Sequence, residues 1–285
     1  MGAVKLCYET FGVPDGPPLL LIMGLNSQML LWDEEFCERL AARGFFVIRF
    51  DNRDVGRSTI LRDAPVPKRW QLMTRDHRGA AYSLDDMAAD AVGLLDQLGV
   101  GAAHVVGVSM GGMIAQLVAI NHPERVRSLV SIMSTTGARR VGRPQPRIAL
   151  RMLHRARTDR DGYIADHLET YRMIGSQVFA FDERHKRERA GRLFDRGIHP
   201  AGSARQLAAI LTAPDRTSAL GELRVPATII HGEADPLVDV SGGRATARAI
   251  PGAELLTIPD MGHDLPRDVW PQIIDAIVTT AGRAE

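Results

Sequence analysis

Three side chains far apart in the sequence have the types needed to activate a hydroxyl group: Ser109, Asp235 and His263. A serine hydroxyl is a weak nucleophile until an imidazole accepts its proton. The imidazole in turn needs a carboxylate that fixes its tautomer and stabilises its charged form. Such a set performs acyl transfer. The order Ser, Asp, His along the chain is the order found in hydrolases built on a parallel sheet.

Ser109 lies in a run that reads as a strand, a sharp turn and a helix, His104-Val105-Val106-Gly107-Val108-Ser109-Met110-Gly111-Gly112-Met113. Glycine stands two residues before and two residues after the serine. A nucleophile on so tight a turn needs unusual dihedrals and leaves no room for neighbouring side chains. The run therefore predicts an exposed hydroxyl at the start of a helix.

The elements around these residues alternate between short apolar strands and amphipathic helices, which is typical of a mostly parallel sheet covered on both faces. Residues 4–11 read as an edge strand, and the other strands are predicted at 19–23, 45–50, 104–108, 126–133, 227–231 and 253–258. Ser109, Asp235 and His263 each follow one of these strands. Because loops at the carboxyl ends of parallel strands face one crevice, we expect the three side chains to meet there.

The alternation stops between residues 137 and 223, where helical patterns at 147–155, 162–173, 182–194 and 204–211 occur without a convincing strand. We interpret 137–223 as a helical cap inserted into a core formed by 1–136 and 224–285. The cap contains more Lys and Arg than Asp and Glu. These cations could hold an anionic substrate or contact a membrane surface, but solvation of exposed helix faces is the favoured interpretation.

Composition limits the other classes of function. A chain of 285 residues suits one large domain with an inserted subdomain, and a formal net charge of +1 gives no drive toward nucleic acid or anionic membranes. The N-terminus lacks the layout of a signal peptide, and no apolar run is long enough for a stable membrane anchor. Cys7 and Cys37 read as small buried apolar residues. The expectation is a cytoplasmic protein without a metal or organic cofactor, and the oligomeric state is not predicted.

Five motifs resemble the α/β-hydrolase fold family, and within it the actinobacterial esterases similar to aclacinomycin methylesterase. They lie at residues 19–26 (LLLIMGLN), 50–58 (FDNRDVGRS), 105–112 (VVGVSMGG), 231–236 (HGEADP) and 261–266 (MGHDLP). The resemblance implies that Ser109 is the nucleophile, His263 the general base and then acid, and Asp235 its orienting carboxylate. Asp239 is a rival for that carboxylate, but Asp235 sits directly at a strand end and is favoured.

The same resemblance assigns the oxyanion hole to the backbone N–H groups of Leu25 and Met110. The family often has His-Gly at the start of the first loop, and Met23-Gly24 stands there in this chain. Asn26 and Gln28 are candidates for side-chain contacts with substrate, and Leu237 and Val238 for an apolar pocket.

The loop at residues 51–58 departs from the family pattern, since Asp54 occupies a position that is usually glycine. We expect this loop to have a structural role, with Arg53 paired to a carboxylate.

The chemistry predicted is hydrolysis of a small-molecule carboxylic ester through an acyl-serine intermediate. Two alternatives use the same triad: a cofactor-free perhydrolase or haloperoxidase, which accepts peroxide in place of water, and a hydrolase of carbon–carbon bonds. A ligand-sensing receptor of the same fold is the alternative without catalysis. The cap, where such enzymes select substrates, carries no motif that decides which ester is cleaved.

Overall fold

The computed structural model describes residues 4–151 and 157–284. Its centre is a seven-stranded sheet with the order β1-β3-β2-β4-β5-β6-β7. The strands are β1 (Tyr8–Phe11), β2 (Pro18–Ile22), β3 (Phe46–Phe50), β4 (Ala103–Val108), β5 (Val126–Ile132), β6 (Ala227–Gly232) and β7 (Glu254–Ile258). Only β1 is antiparallel to its neighbour, and all other described pairs are parallel. The mostly parallel α/β sheet expected from the sequence is confirmed.

The helices of the described residues follow the strands in the alternation that the sequence predicts. They are α1 (Glu34–Ala41), α2 (Arg69–Thr74), α3 (Leu84–Gln97), α4 (Met110–Asn121), α5 (Pro146–Arg151), α6 (Arg160–Ile174), α7 (Glu183–Asp195), α8 (Pro200–Thr212), α9 (Thr217–Leu220), α10 (Ser241–Ala249) and α11 (Trp270–Gly282). Helix α3 begins with a capping box in which Ser83 and Asp86 exchange side-chain and backbone hydrogen bonds.

The central strands are buried on both faces, because successive residues point to opposite sides of a sheet. On β2, Leu20 and Ile22 pack with α3 and α4, whereas Leu19 and Leu21 pack with α1 and α11. Both sets are fully buried. This two-sided burial explains why these strands are short, uninterrupted apolar runs.

The predicted first strand is longer than the observed one. β1 starts at Tyr8 because its partner β3 ends at Phe50, so residues before Tyr8 have no strand beside them. The backbone carbonyls of Lys5 and Cys7 instead accept hydrogen bonds from Thr59 and Asp51 in the loop that follows β3. The N-terminal segment therefore holds that loop instead of extending the sheet.

All described secondary structure between β5 and β6 is helical, α5 to α9. The helix predicted at 147–155 is described as far as Arg151, and residues 152–156 lie outside the described residues. The division into a core and a cap at 137–223 stays a prediction. We use the word cap below for these residues.

A buried ion pair joins the cap to the loop after β3. Arg205 of α8 donates to both carboxylate oxygens of Asp54, each over 2.7 Å. The exposed fractions of the two side chains are 1% and 0%. Tyr82 and the N–H of Leu61 also donate to the Asp54 carboxylate. Burial alone would raise the pKa of Asp54, but these hydrogen bonds outweigh it and hold the pKa below its usual value.

Both cysteines are free thiols. Cys37 is buried in α1, and burial raises the pKa of its thiol to about 12, which makes it unreactive. Within the described residues, no helix is long and apolar enough to cross a membrane.

His104 on β4 provides a test of burial energetics. It is buried, its Nδ1 lies 2.8 Å from Ser128 Oγ, and burial lowers its pKa from 6.5 to about 4. The native protein therefore excludes a proton that the unfolded chain binds below about pH 6.5, so stability falls as the pH drops toward 4. When the pH is lowered from roughly 8 to 5, the free energy of unfolding of the wild type should fall through this contribution by on the order of 2 kcal/mol. His104→Gln lacks the titrating group, so its free energy of unfolding should fall by about that much less. Urea unfolding at both pH values measures this difference, and parallel losses in the two proteins would contradict it.

Candidate active site

Ser109 stands at the junction of β4 and α4, in a conformation that few side chains adopt. Its φ is 57° and its ψ is −119°. A Cβ at Gly107 would overlap the Gly111 carbonyl, and a Cβ at Gly111 would overlap the Ile22 carbonyl. These contacts explain the two glycines of the motif, because the first turn of α4 lies directly against β4 and the end of β2. The hydroxyl is left half-buried above the carboxyl end of the sheet.

The structure brings the three predicted chemical side chains into one hydrogen-bonded row. His263 Nε2 lies 3.0 Å from Ser109 Oγ, and His263 Nδ1 lies 2.6 Å from Asp235 Oδ2. A carboxylate at Nδ1 can only accept, so Nδ1 carries the proton and Nε2 is free to accept the serine proton. Because the imidazole is held from both sides, it is oriented for proton transfer at Nε2.

Asp235 is fixed by its own loop. Its Oδ1 accepts from the N–H groups of Leu237 and Val238, at 2.8 and 2.9 Å, which leaves Oδ2 for His263. Below this loop, the buried His231 donates from Nε2 to the Val238 carbonyl, and burial lowers the pKa of His231 so that it stays neutral. Asp239 points elsewhere and accepts from the Ser241 N–H. Asp235, not Asp239, therefore contacts the imidazole.

Two backbone donors lie next to Ser109. Gly24 is so close to the serine that a Cβ on it would be 3.2 Å from the Ser109 Cβ, and Leu25 follows Gly24 directly. Met110 is buried at the first position of α4. In the part of the chain that the structure describes, the N–H groups of Leu25 and Met110 donate to no acceptor. Met110 is fully buried and Leu25 half-buried, and a buried donor without an acceptor is costly, so these two groups are suited to a bound oxygen.

The candidate substrate contacts have different surroundings. Asn26 is exposed, with a positive φ of 55°, and its N–H donates to the Gln206 side chain of the cap. Gln28 is buried, and its amide nitrogen donates to the carbonyls of Leu193 and Gly197 while its oxygen accepts from Arg196. Gln28 thus holds the cap on the core, a role that differs from the substrate contact expected from the sequence. Leu237 is half-buried and Val238 buried in the loop that carries Asp235.

The loop at residues 51–58 has the structural role that the sequence predicts. Arg53 pairs with Asp90 of α3 at 2.5 Å, as expected, and its guanidinium lies over the Tyr82 ring. Arg205 explains why this chain departs from the family pattern at position 54. The Asp54 carboxylate forms an ion pair with this arginine of the cap. The left-handed φ of 67° at Asp54 shows why glycine suits this position in the family pattern.

Two further residues beside the row were not found from the sequence. Ser176 of the cap contacts the loop around His263, and Asp264 accepts both hydrogen bonds that Ser176 donates. They are 88 residues apart. Among the described residues, no group of three or more His, Cys, Asp or Glu side chains is arranged to hold a metal ion.

The fold and the row of side chains define a class, hydrolases of the α/β type. The family model described as alpha/beta hydrolase fold matches residues 17–266, so the chain belongs to the α/β-hydrolase family. It is 32% identical to rhodomycin D methylesterase DnrP of Streptomyces peucetius, over 96% of this chain and 94% of that protein. The corresponding enzyme DauP of Streptomyces sp. strain C5 is equally similar, at 32% identity over 96% of this chain and 94% of its own length.

Solved structures share the fold at lower identity. The enol-lactonase of Burkholderia xenovorans has a TM-score of 0.74 at 23% identity, covering 99% of this chain and 96% of that one. A thermophilic esterase of Thermogutta terrifontis has a TM-score of 0.73 at 24% identity, covering 99% and 94%. These two similarities concern the fold alone.

Proposed function

We propose that the protein is a serine hydrolase that cleaves carboxylic esters through an acyl-serine intermediate. The observation that carries the proposal is the hydrogen-bonded row Asp235–His263–Ser109, with 2.6 and 3.0 Å between its polar atoms. Sequence similarity to two methylesterases over nearly the whole chain supports an ester as the substrate. The proposed substrates are methyl esters of small-molecule carboxylic acids.

In the proposed mechanism, Ser109 Oγ attacks the ester carbonyl while His263 Nε2 accepts the hydroxyl proton. The imidazolium that forms is stabilised by Asp235 at Nδ1, and Asp235 itself stays ionised. The proton then passes to the departing alkoxide, so methanol leaves and an acyl-serine remains. Water repeats the sequence with His263 again as the base, which releases the carboxylic acid and restores the serine.

The tetrahedral intermediates carry a negative oxygen that needs preorganised donors. We assign this function to the N–H groups of Leu25 and Met110, which lie beside Ser109 and are free of other acceptors within the described residues. Backbone donors need no reordering during the reaction, and one such donor typically contributes a factor of about 10² to 10³ in rate. Asn26, Leu237 and Val238 are the proposed substrate contacts in the same crevice.

Labelling with a fluorophosphonate tests the nucleophile directly. The probe phosphonylates an activated serine, so we expect one phosphonyl group per chain, found on the peptide that contains Ser109 by mass spectrometry. Hydrolysis of p-nitrophenyl acetate should fall in proportion to labelling. Full activity after complete labelling, or labelling at another serine, would contradict the assignment.

A matched series of methyl, ethyl and butyl esters of one carboxylic acid tests the substrate class. The proposal expects the highest kcat/KM for the methyl ester, with methanol and free acid released in equal amounts. Negligible hydrolysis of all three esters would contradict the proposal. Cleavage of a vinylogous diketone would then favour a hydrolase of carbon–carbon bonds, and formation of a peracid from acetate and peroxide would favour a perhydrolase.

A further inference from the structure

The end of helix α6 in the cap lies against the loop that carries His263. The backbone N–H of His263 donates to the Ile174 carbonyl at 2.7 Å, and the N–H of Gly262 donates to Ser176 Oγ at 2.9 Å. Both hydrogen bonds start from the main chain at or next to the imidazole-bearing residue. The cap therefore contacts the candidate catalytic loop at its centre.

The contact is one of backbone against backbone. A Cβ at Gly262 would lie 2.5 Å from the carbonyl carbon of Gly175, and a Cβ at Gly175 would lie 3.0 Å from Asp264 Oδ2. No side chain fits between the two segments. Because no flexible group separates them, a displacement of one segment moves the other.

Ser176 connects both neighbours of His263. Its hydroxyl accepts from the Gly262 N–H and donates to Asp264 Oδ1 at 2.6 Å, and its own N–H donates to the same oxygen at 2.9 Å. The residue is only 9% exposed, so water does not replace these bonds freely. Burial lowers the pKa of Lys186 and raises the pKa of Tyr171 in the cap, and the nearby Asp264 carboxylate favours the protonated form of both groups.

We propose that the segment Ile174–Ser176, here termed the brace, positions His263 for catalysis, with Ser176 as a positioning residue. The inference rests on the proposed function and adds to it a contribution from the cap. His263 Nε2 must stay at 3.0 Å from Ser109 Oγ while Nδ1 stays at 2.6 Å from Asp235. The loop has to satisfy both distances at once, and a misplacement of about 1 Å can cost 10²-fold in rate. The brace holds the loop at three consecutive residues. Ser176 bonds the Gly262 N–H and the Asp264 carboxylate, and the Ile174 carbonyl bonds the His263 N–H.

Ser176→Ala removes the hydroxyl but keeps the backbone contacts. We expect kcat for p-nitrophenyl acetate to fall roughly 10- to 100-fold with KM changed less than about twofold, because the imidazole and not the substrate is displaced. The rate of fluorophosphonate labelling should fall by the same factor, since it depends on the same activation of Ser109. Ser176→Thr retains the hydroxyl and should restore both rates to near the wild-type values.

Thr212→Ala serves as the matched control, because among the described residues this cap threonine donates within its own helix alone, to the Ala208 carbonyl. Its kcat should equal that of the wild type. Asp264→Asn gives an independent test, since the remaining amide oxygen can accept from Ser176, whereas Asp264→Ala cannot replace it. We expect Asp264→Ala to lower kcat as Ser176→Ala does and Asp264→Asn to lower it less. The double variant with both alanines should be no slower than the slower single variant.

A kcat for Ser176→Ala within twofold of the wild type, or a rise in KM with kcat unchanged, would overturn the brace while leaving the proposed function intact. If Ser176→Ala does not fold, Asp264→Asn and Asp264→Ala decide the matter by their own ratio of kcat values. Failure of the proposed function is recognised separately, because the wild-type protein would then not react with the fluorophosphonate at Ser109.

Discussion

Replacing Ser109 by alanine is expected to lower kcat for p-nitrophenyl acetate by about 10⁴-fold or more. The proposed reaction requires an oxygen nucleophile at this position, and alanine offers His263 nothing to deprotonate. The hydroxyl makes no hydrogen bond that caps α4, so its loss should leave the unfolding midpoint close to that of the wild type. Steady-state kinetics and urea unfolding on the same preparation measure the two quantities.

Ser134→Ala is the matched control for this substitution. Ser134 is a buried serine beside the first turn of α4, where it packs against Gly112, and within the described residues its hydroxyl has no hydrogen-bond partner. It should keep nearly full activity. A Ser109→Ala protein that still turns over ester at more than about a hundredth of the wild-type rate would exclude Ser109 as the nucleophile. A Ser109→Ala/His263→Ala double variant should be no slower than the single variants, because the residues act as a unit.

Breaking the ion pair between the cap and the core should have the largest effect on stability. Arg205→Met leaves the Asp54 carboxylate buried, and Tyr82 and the Leu61 N–H are then its remaining donors within the described residues. Removal of one partner from a fully buried pair costs about 3 to 5 kcal/mol, because a charge remains without compensation. Urea unfolding at neutral pH measures this loss as a lower midpoint with an unchanged slope.

The control is Arg184→Met in α7, which breaks an exposed pair with Glu188 four residues along the helix. Such surface pairs contribute less than about 1 kcal/mol. Addition of Asp54→Asn to Arg205→Met should recover much of the loss, since the buried charge is then gone. The pKa of Asp54 is lowered in the folded protein, so the pair stabilises above the ordinary carboxyl pKa and loses its effect as the pH falls. The gap between wild type and Arg205→Met should therefore narrow in acid, and a loss equal to that of Arg184→Met would contradict the argument.

The sequence predicts those parts of the fold that depend on local patterns. Buried parallel strands appear as apolar runs, and the sharp turn at Ser109 appears as the spacing of two glycines. Asp235 and His263 could be assigned because each follows a strand whose end must face the same crevice. Helix α2 (Arg69–Thr74) is not among the elements predicted from the sequence. Its side chains are largely exposed, Trp70 at 51% and Met73 at 75%, so no apolar periodicity marks it.

The contacts between the cap and the core could not be predicted in the same way. Ser176 and Gly262 are 86 residues apart, and Asp54 and Arg205 are 151 apart. A hydrogen bond between residues so distant in the chain leaves no periodic signal in the sequence of either segment. Only Asp54 gave an indication, as an acidic residue where the family pattern has glycine, and its partner could not be chosen among the many arginines of the cap.

The Asp54–Arg205 pair has a consequence for the engineering of chimeras. One way to change the substrate range of an enzyme with an inserted cap is to replace the cap by that of a relative. In this protein the cap residues contact the rest of the chain through a buried carboxylate, so a foreign segment without an arginine at the position of Arg205 would leave the Asp54 charge buried and unpaired. Conversely, a relative with glycine at position 54 would leave Arg205 of this cap buried without its carboxylate partner. Exchange should therefore succeed only when position 54 is transferred together with the cap.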